Sequence, residues 1–503
     1  MKQNKTLYRT LLIIAFLAVN LLILFGISKV LTYLNSGANK ADLFHEDVAK
    51  EVVSNAVVTW EDLINPGRPM EVPTKEMIER DYLESWYTRN KALSTADIAG
   101  IEDTYTQLAR KNLSNLLAYN MAQNITVESV NLSHQLNLDF YSADGQLVVL
   151  TDNGVTTHTR VFQDGVFKME TEEISNYKIV MLLEDGHWRI RHMEKLTSQI
   201  PVATKRAAYR FESKLAGMNY YPQDTPWDTF GDQFSKKTLK TDFKIIKELG
   251  LNTIRVFVGY DDFGKGAVEI NKLEKLNDLL DGAQEQDLQV VITLFDFYGD
   301  YSIESWPSTR SHAYAIVNKV KNHPALLGWD VKNEPDLDFE SRTPHLVKAW
   351  LLHMTQYIQK MDESHPITIG WSSADAALNL SDYVDYISFH HYKDMEALSS
   401  IYEDLRLQTD KDIVLQEFGL SSAKGFWNPF GSNEADQLEF YTEFFKNQKR
   451  DSLHYLSWTL YDFSTVPVNV VGKRPWRKNK QSNFGIINIA GEQKAAYQAF
   501  LLD

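Results

Sequence analysis

No cysteine occurs in the 503 residues, which excludes disulfides, thiolate-ligated zinc and a thiol nucleophile. Positive charge is in short supply as well: 52 Lys and Arg face 67 Asp and Glu, a formal balance of −15. Such a field repels phosphate backbones and argues against a nucleic-acid partner, whereas a neutral sugar polymer meets no such penalty. No Gly-x-Gly-x-x-Gly turn follows any candidate strand, so the fingerprint of a dinucleotide-binding sheet is missing. Wholesale disorder is not indicated, because 44% of the chain is hydrophobic and 24% charged, the balance of folded domains. A chain of this length is expected to form two or three compact units.

Long uncharged apolar runs are also absent, with one exception. Thr10 to Ser28, TLLIIAFLAVNLLILFGIS, carries no charge and follows Lys2, Lys5 and Arg9. At about 1.5 Å per residue a helix of this length spans close to the ~30 Å hydrocarbon core of a bilayer. A signal peptide has a shorter apolar stretch of about 7–15 residues ending at a small-x-small site. Here Ser36-Gly37-Ala38 lies well beyond the run. Residues 1–35 are therefore expected to be a cytoplasmic tip and transmembrane signal anchor, with residues 10–28 in the membrane. Cations before a span hold that end in the cytoplasm, so the expected location is the cell membrane, single-pass, with everything that follows extracellular.

Residues 40–200 and 205–503 differ in pattern. The first region opens with helical periodicity over His45–Ile64, Thr74–Ala92 and Thr95–Asn120. From Ile125 the period turns towards two, punctuated by Ala143-Asp144-Gly145, Asp152-Asn153-Gly154, Asp164-Gly165 and Asp185-Gly186. Helices followed by an antiparallel meander make a smaller α+β, cone-like domain. That order, with the closing DGHWRI strand, resembles the nuclear transport factor 2-like fold. The histidines His134, His158, His187 and His192 form no catalytic set and are expected on the surface. The resemblance implies a spacing or assembly role, with a possible envelope or synthase partner through residues 40–200.

From Lys214 short apolar runs alternate with amphipathic stretches, the signature of α/β architecture with a parallel sheet. Candidate strands are 214–221, 252–258, 289–295, 326–333, 367–371, 383–390, 412–418 and 454–460. Eight strand–helix units over residues 205–503 predict a (β/α)8 TIM barrel, whose chemistry sits at the C-terminal ends of its strands. Those ends carry Asn219, Asn333-Glu334-Pro335, His390-His391-Tyr392 and Gln416-Glu417, with Arg255 on strand two and Trp458 on strand eight.

Two carboxylates at one rim suit cleavage of a glycosidic bond, which needs a proton for the leaving oxygen and a negative group under the anomeric carbon. Glu334 and Glu417 are the expected catalytic pair. Arg255 would hold Glu417 anionic, Tyr392 would donate to it, and apolar neighbours together with the charge of Glu417 would keep Glu334 protonated. Asn333 can grip a sugar hydroxyl, and Trp458 can form a stacking floor. The pair His390-His391 has no third ligand at suitable spacing, so neither a metal nor another cofactor is expected.

Asn333-Glu334-Pro335, His390-x-Tyr392, LQEFG at 415–419, Arg255 within NTIRVFV and Trp458 together resemble glycoside hydrolase family 5 and its clan A relatives, of cellulase or mannanase type. The resemblance implies a retaining double displacement with Glu334 as acid/base and Glu417 as nucleophile, supported by Arg255, Asn333, His390, Tyr392 and Trp458. Many members end strand three in histidine, whereas ITLFDFYGDYSIESW offers Phe295 and Asp296, closer to the mannanase-type branch. Asp296, Tyr298, Tyr301 and Trp306 are the cleft residues expected there, and Arg255, Asn333, His390, Tyr392, Trp458, Asn219, Asp296 and Trp306 are the residues expected to bind substrate. The implied enzyme is an anchored, extracellular hydrolase of β-mannan, β-glucan or a self-made exopolysaccharide. A catalytically inactive polysaccharide-binding or envelope scaffold protein is the alternative.

Overall fold

The computed structural model describes residues 56–61, 68–393, 395–426, 428–451 and 453–501. The span expected at residues 10–28 lies outside them, as does the start of the helix expected over 45–64. Among the described residues no helix is long and apolar enough to cross a membrane. The chain from Asn55 onward forms one compact unit.

The end of that first expected helix is instead strand β1 (Val57–Trp60), which pairs in parallel with β2 (Ile125–Tyr141). Its sequence, VVTW, is β-branched at three positions and aromatic at the fourth, which suits a half-buried pleat better than a helix. Helix α1 (Val72–Thr95) carries Pro73 in its first turn and aligns Ile78, Tyr82 and Trp86, four residues apart, on one buried stripe. Helix α2 (Gln107–Ala122) buries Ala109, Leu113 and Leu117 in the same way. Both pack on the sheet β1-β2-β3-β4-β5, in which β3 (Leu147–Gln163), β4 (Val166–Glu184) and β5 (His187–Gln199) follow β2 in antiparallel order.

Asp152-Asn153-Gly154 is not a turn. It lies inside β3, where the register with β4 shifts between Asp152 and Val155 and Gly154 takes φ +78°. The buried Asp152 carboxylate accepts from Tyr82 Oη at 2.7 Å and Gln135 N at 2.8 Å, and pairs with His134 Nδ1 at 2.6 Å. A buried polar knot thus occupies the place of the expected turn. His134 and His158 are interior residues, contrary to their expected place on the surface.

The second region is a closed barrel of eight parallel strands: β6 (Ala216–Asn219), β7 (Thr253–Gly259), β8 (Gln289–Asp296), β9 (Leu326–Asn333), β10 (Ile367–Trp371), β11 (Ile387–His391), β12 (Ile413–Phe418) and β13 (His454–Ser457). The circle closes between β13 and β6, where Tyr455 faces Ala216. Helices α3 (Lys236–Glu248), α4 (Ile270–Gln284), α5 (Trp306–Val320) and α6 (Pro344–Met361) follow the first four strands. The later connections carry α7 (Ala374–Ala377), α8 (Leu398–Arg406) and α9 (Glu434–Asp451), and after β13 come α10 (Val468–Val471), α11 (Pro475–Ser482) and α12 (Tyr497–Leu501). Strands β10, β11 and β12 are buried at every position, as strands covered on both faces require.

The sheet of the first region is seated on barrel helices α5 and α6. Trp306 is fully buried in this seam, with its ring 4.0 Å from that of His158 and 4.6 Å from that of His353. Polar contacts flank it, with His345 Nε2 2.6 Å from Glu170 Oε2 and His353 Nδ1 2.9 Å from Glu172 Oε2. Trp306 is therefore a packing residue between the two regions, and its expected place in the cleft is corrected. Its position at the start of α5 turns the indole towards the sheet.

Candidate active site

Glu334 and Glu417 reach the same mouth from β9 and β12. The chain leaves β9 sharply: Glu334 adopts φ 45° and ψ 50°, its N–H donates to Gly370 O at 2.7 Å, and Pro335 opens a short 3-10 turn. A left-handed glutamate is a strained position, and such positions collect at functional sites. The ladders around Glu417 are irregular too, with register shifts between Phe389 and His390 and between Leu415 and Phe418. Such shifts re-aim side chains at a barrel rim. One carboxylate oxygen of Glu334, one of Glu417 and a ring nitrogen of His390 all lie within 4.8 Å of one another.

Arg255 lies beneath this group, fully buried. Its Nη1 donates to Glu417 Oε1 at 2.6 Å and to Asn219 Oδ1 at 3.0 Å. Its Nη2 donates to Asp330 Oδ2 at 2.6 Å and Asn333 Oδ1 at 2.8 Å, and Nε reaches Thr293 Oγ1 at 2.9 Å. One guanidinium fork thereby fixes the nucleophile candidate, a buried counter-ion and the asparagine next to Glu334. Gly370 makes room for it, since a Cβ there would lie 3.0 Å from Arg255 Nη2 and 2.6 Å from Gln416 Oε1. Tyr392 Oη donates to the other oxygen of Glu417 at 2.8 Å. Burial and the charge of Glu417 push the Tyr392 phenol up, which keeps it a proton donor.

His390 is buried, with Nδ1 2.8 Å from Glu334 Oε1 and 3.5 Å from Glu417 Oε2. Burial alone would lower its pKa, but the charge of Glu417 and the bond to Glu334 outweigh it and raise it. Burial works to raise Glu334, but the hydrogen bond and charge of His390, then Arg255 and Lys332, pull it below the usual carboxylate range. The expected apolar surroundings of Glu334 are therefore corrected. The two shifts point the same way: they favour a carboxylate on Glu334 facing a protonated His390 across one hydrogen bond. The three ligand-type side chains could in principle hold a cation. Both oxygens of Glu417 already accept strong hydrogen bonds and Arg255 brings positive charge beside them, a donor set suited to proton transfer rather than to a metal.

The cleft above these groups encloses about 590 Å3. Trp227, Tyr221, Phe257 and Trp458 build one aromatic wall, with the rings of Trp227 and Trp458 6.3 Å apart. Trp458 lines this space, while its Nε1 is buried with no hydrogen-bond partner among the described residues. Asp296 also lines it; burial, opposed first by Lys332, pushes its carboxyl up to about 6. Tyr298 borders the cleft, whereas Tyr301 lies beneath, donating to Asp338 Oδ2 at 2.5 Å. Asn333 and Tyr392 are at the surface of the cleft.

Three expected substrate contacts are corrected. Asn219 is fully buried; its Nδ2 donates to Gln416 O at 2.9 Å and its Oδ1 serves Arg255, so it braces the site from below. Arg255 and His390, with fully buried side chains, likewise cannot touch a sugar; Arg255 acts through Glu417 and Asn333, and His390 through Glu334. Trp227 and Lys332 were not singled out from the sequence. Trp227 sits in an irregular loop after β6 that periodicity does not mark, and Lys332 alternates invisibly inside a buried strand.

Residues 207–464 match the model of a family described as "Cellulase (glycosyl hydrolase family 5)". Among curated proteins, the chain is 23% identical over 261 residues to a 1,3-beta-glucanosyltransferase of Schizosaccharomyces pombe, covering 46% of this chain and 54% of that protein. It is 28% identical over 178 residues to human beta-glucuronidase (32% and 27%) and 24% identical over 119 residues to mannan endo-1,4-beta-mannosidase A of Podospora anserina (20% and 31%). The chain thus spans about half or less of the length of these relatives. An exo-beta-1,4-mannosidase from Opitutaceae bacterium strain TAV5 aligns with a TM-score of 0.48 at 20% identity, over 57% of this chain and 58% of that one.

Proposed function

This chain belongs to the cellulase family, glycosyl hydrolase family 5, and on that footing we propose that it cleaves a β-linked polysaccharide by retaining double displacement, with Glu417 as nucleophile and Glu334 as acid/base. The chain is a glycosidase hydrolysing O-glycosyl bonds. The observation that carries the retaining reading is that one oxygen of Glu334 and one of Glu417 lie within 4.8 Å of each other. Retaining enzymes hold the two groups about 5–5.5 Å apart, whereas inverting ones leave ~6.5–9.5 Å for a water between them.

In the first step Glu417, aligned by Arg255 and Tyr392, attacks the anomeric carbon. The leaving oxygen takes the proton that Glu334 shares with His390. In the second step the Glu334 carboxylate takes a proton from water, which attacks the same carbon from the other side and releases Glu417. Asn333, held by Arg255, is placed to bond a sugar hydroxyl, and Trp458 to stack under the reacting ring. The names of the relatives span glucans and mannans, so the substrate is read as a β-glucan or β-mannan type polymer, or an exopolysaccharide of the same cell.

The run at residues 10–28 supports an anchor with the enzyme on the outer face of the cell membrane. The helices and antiparallel strands of residues 72–199 support a nuclear transport factor 2-like module that spaces the barrel from the membrane or engages an envelope or synthase partner. Proton NMR of the first-formed sugar tests the mechanism. Retention of the anomeric configuration is expected, and an inverted product would overturn it.

A further inference from the structure

The acidic balance of the chain conceals one strongly basic segment. Between Asp462 and Glu492 no acidic residue occurs, while Lys473, Arg474, Arg477, Lys478 and Lys480 do. That segment carries α10 and α11, and it lines the cleft through Val470, Val471, Arg477 and Lys480. Arg477 and Lys480, three residues apart on α11, share a helix face. Both are exposed, and neither makes an ion pair among the described residues.

The lip is fastened to the loop that follows the strand carrying Glu417. Ser421 Oγ donates to Lys480 O at 2.6 Å, Asn479 Nδ2 to Ala423 O at 3.1 Å, and Ser422 N to Asn483 O at 2.9 Å. The third cation of the cleft, Lys332, is already committed to Asp338 at 3.4 Å. The cleft that holds Glu334 and Glu417 is therefore also lined by two positive charges with no ion-pair partner among the described residues, on a lip pinned by these hydrogen bonds. They stand out in a protein of net charge −15, and they offer an anionic glycan charge-assisted hydrogen bonds that a neutral one cannot match.

Resting on the hydrolase reading above, we infer that Arg477 and Lys480 form an anion subsite and that the natural substrate is a glycan bearing acidic substituents within a residue or two of the scissile bond. Carboxylate and phosphate substituents share this chemistry. The full-length chain is tested on oligosaccharides of one β-linked backbone in neutral, C6-carboxylated and phosphorylated forms. The ratio of kcat/KM on the acidic over the neutral form is expected to exceed about tenfold at low salt and to collapse towards unity in Arg477→Ala/Lys480→Ala and at high ionic strength. The preferred acidic form identifies the substituent. A preference for the neutral form, or an acidic preference that survives the double substitution, overturns the inference.

Binding of the three forms to Glu417→Gln is measured alongside. Selective binding of an acidic form that depends on Arg477 and Lys480, with no turnover of any form by the unsubstituted chain, would uphold the subsite and sink the hydrolase reading alone.

Discussion

Replacing Arg255 by methionine removes a charge while keeping most of the side-chain volume, so its effect isolates the electrostatic role of the guanidinium. Two carboxylates depend on it: Asp330, with a fully buried side chain, and Glu417, whose side chain is 6% exposed. Breaking a buried ion pair by removing one partner costs about 3–5 kcal/mol, because the remaining charge is left without compensation. Against a folding stability of ~5–15 kcal/mol this is a large fraction, visible as a clear fall in the urea midpoint. Adding Asp330→Asn to Arg255→Met removes one orphaned charge and leaves Oδ1 free to accept from Gly370 N, now at 2.8 Å. The second change is expected to restore about 1–2 kcal/mol, a coupling typical of groups in one network. Turnover is not expected to return, since Glu417 keeps Tyr392 but still lacks the guanidinium that bonds its other oxygen. Near wild-type stability of Arg255→Met, or a double variant less stable than the single, would refute the charge-balance argument.

Glu417→Gln and Glu334→Gln are each expected to lower kcat by about a thousandfold or more while leaving unfolding midpoints close to wild type. Tyr392→Phe removes one hydrogen bond to a charged group and is expected to cost about 1.5–3 kcal/mol in kcat/KM, read by steady-state kinetics. The pair His390–Glu334 sets a pH window. His390 is raised, so its stabilisation is full below its ordinary value and fades as pH climbs through the folded value; Glu334 is lowered, so its share is present above the ordinary carboxylate range and fades as pH falls. The basic limb of kcat/KM is expected above the ordinary histidine range and should move to lower pH in His390→Gln; an unmoved limb counts against the shared proton. Trp306→Ala is expected to cost about 3–5 kcal/mol in stability with KM within about twofold, and a large KM change would put the indole back in the cleft.

Much of the barrel is legible because buried parallel strands are read directly from apolar runs. LLGWDVKN and ITIGW occupy β9 and β10 with the boundaries expected from sequence. The rim residues follow from the strands, and Glu334, Glu417, His390 and Tyr392 do meet there. What sequence conceals is depth. Asn219 and Arg255 sit at strand positions one step too deep to touch a sugar, and nothing in the residue types distinguishes a floor from its foundation. Trp306 looks like a cleft aromatic until the neighbouring sheet, far away in sequence, claims it. The surroundings of Glu334 are misjudged for a similar reason, since a histidine 56 positions away supplies its hydrogen bond. In the first region Asp152-Asn153-Gly154 carries the chemistry of a turn, yet tertiary contacts from Tyr82 and His134 turn it into a bulge.

The covalent step is the heart of the account, and trapping it is the most direct test. The chain is incubated with 2-deoxy-2-fluoro glycosyl fluorides of gluco and manno configuration, which slow both steps but leave the first one running, and is then digested and mapped by mass spectrometry. A single fluorosugar on the peptide carrying Glu417, absent in Glu417→Gln, is the predicted result. A label on any other carboxylate, or hydrolysis of the probe with inversion and no covalent adduct, would contradict it.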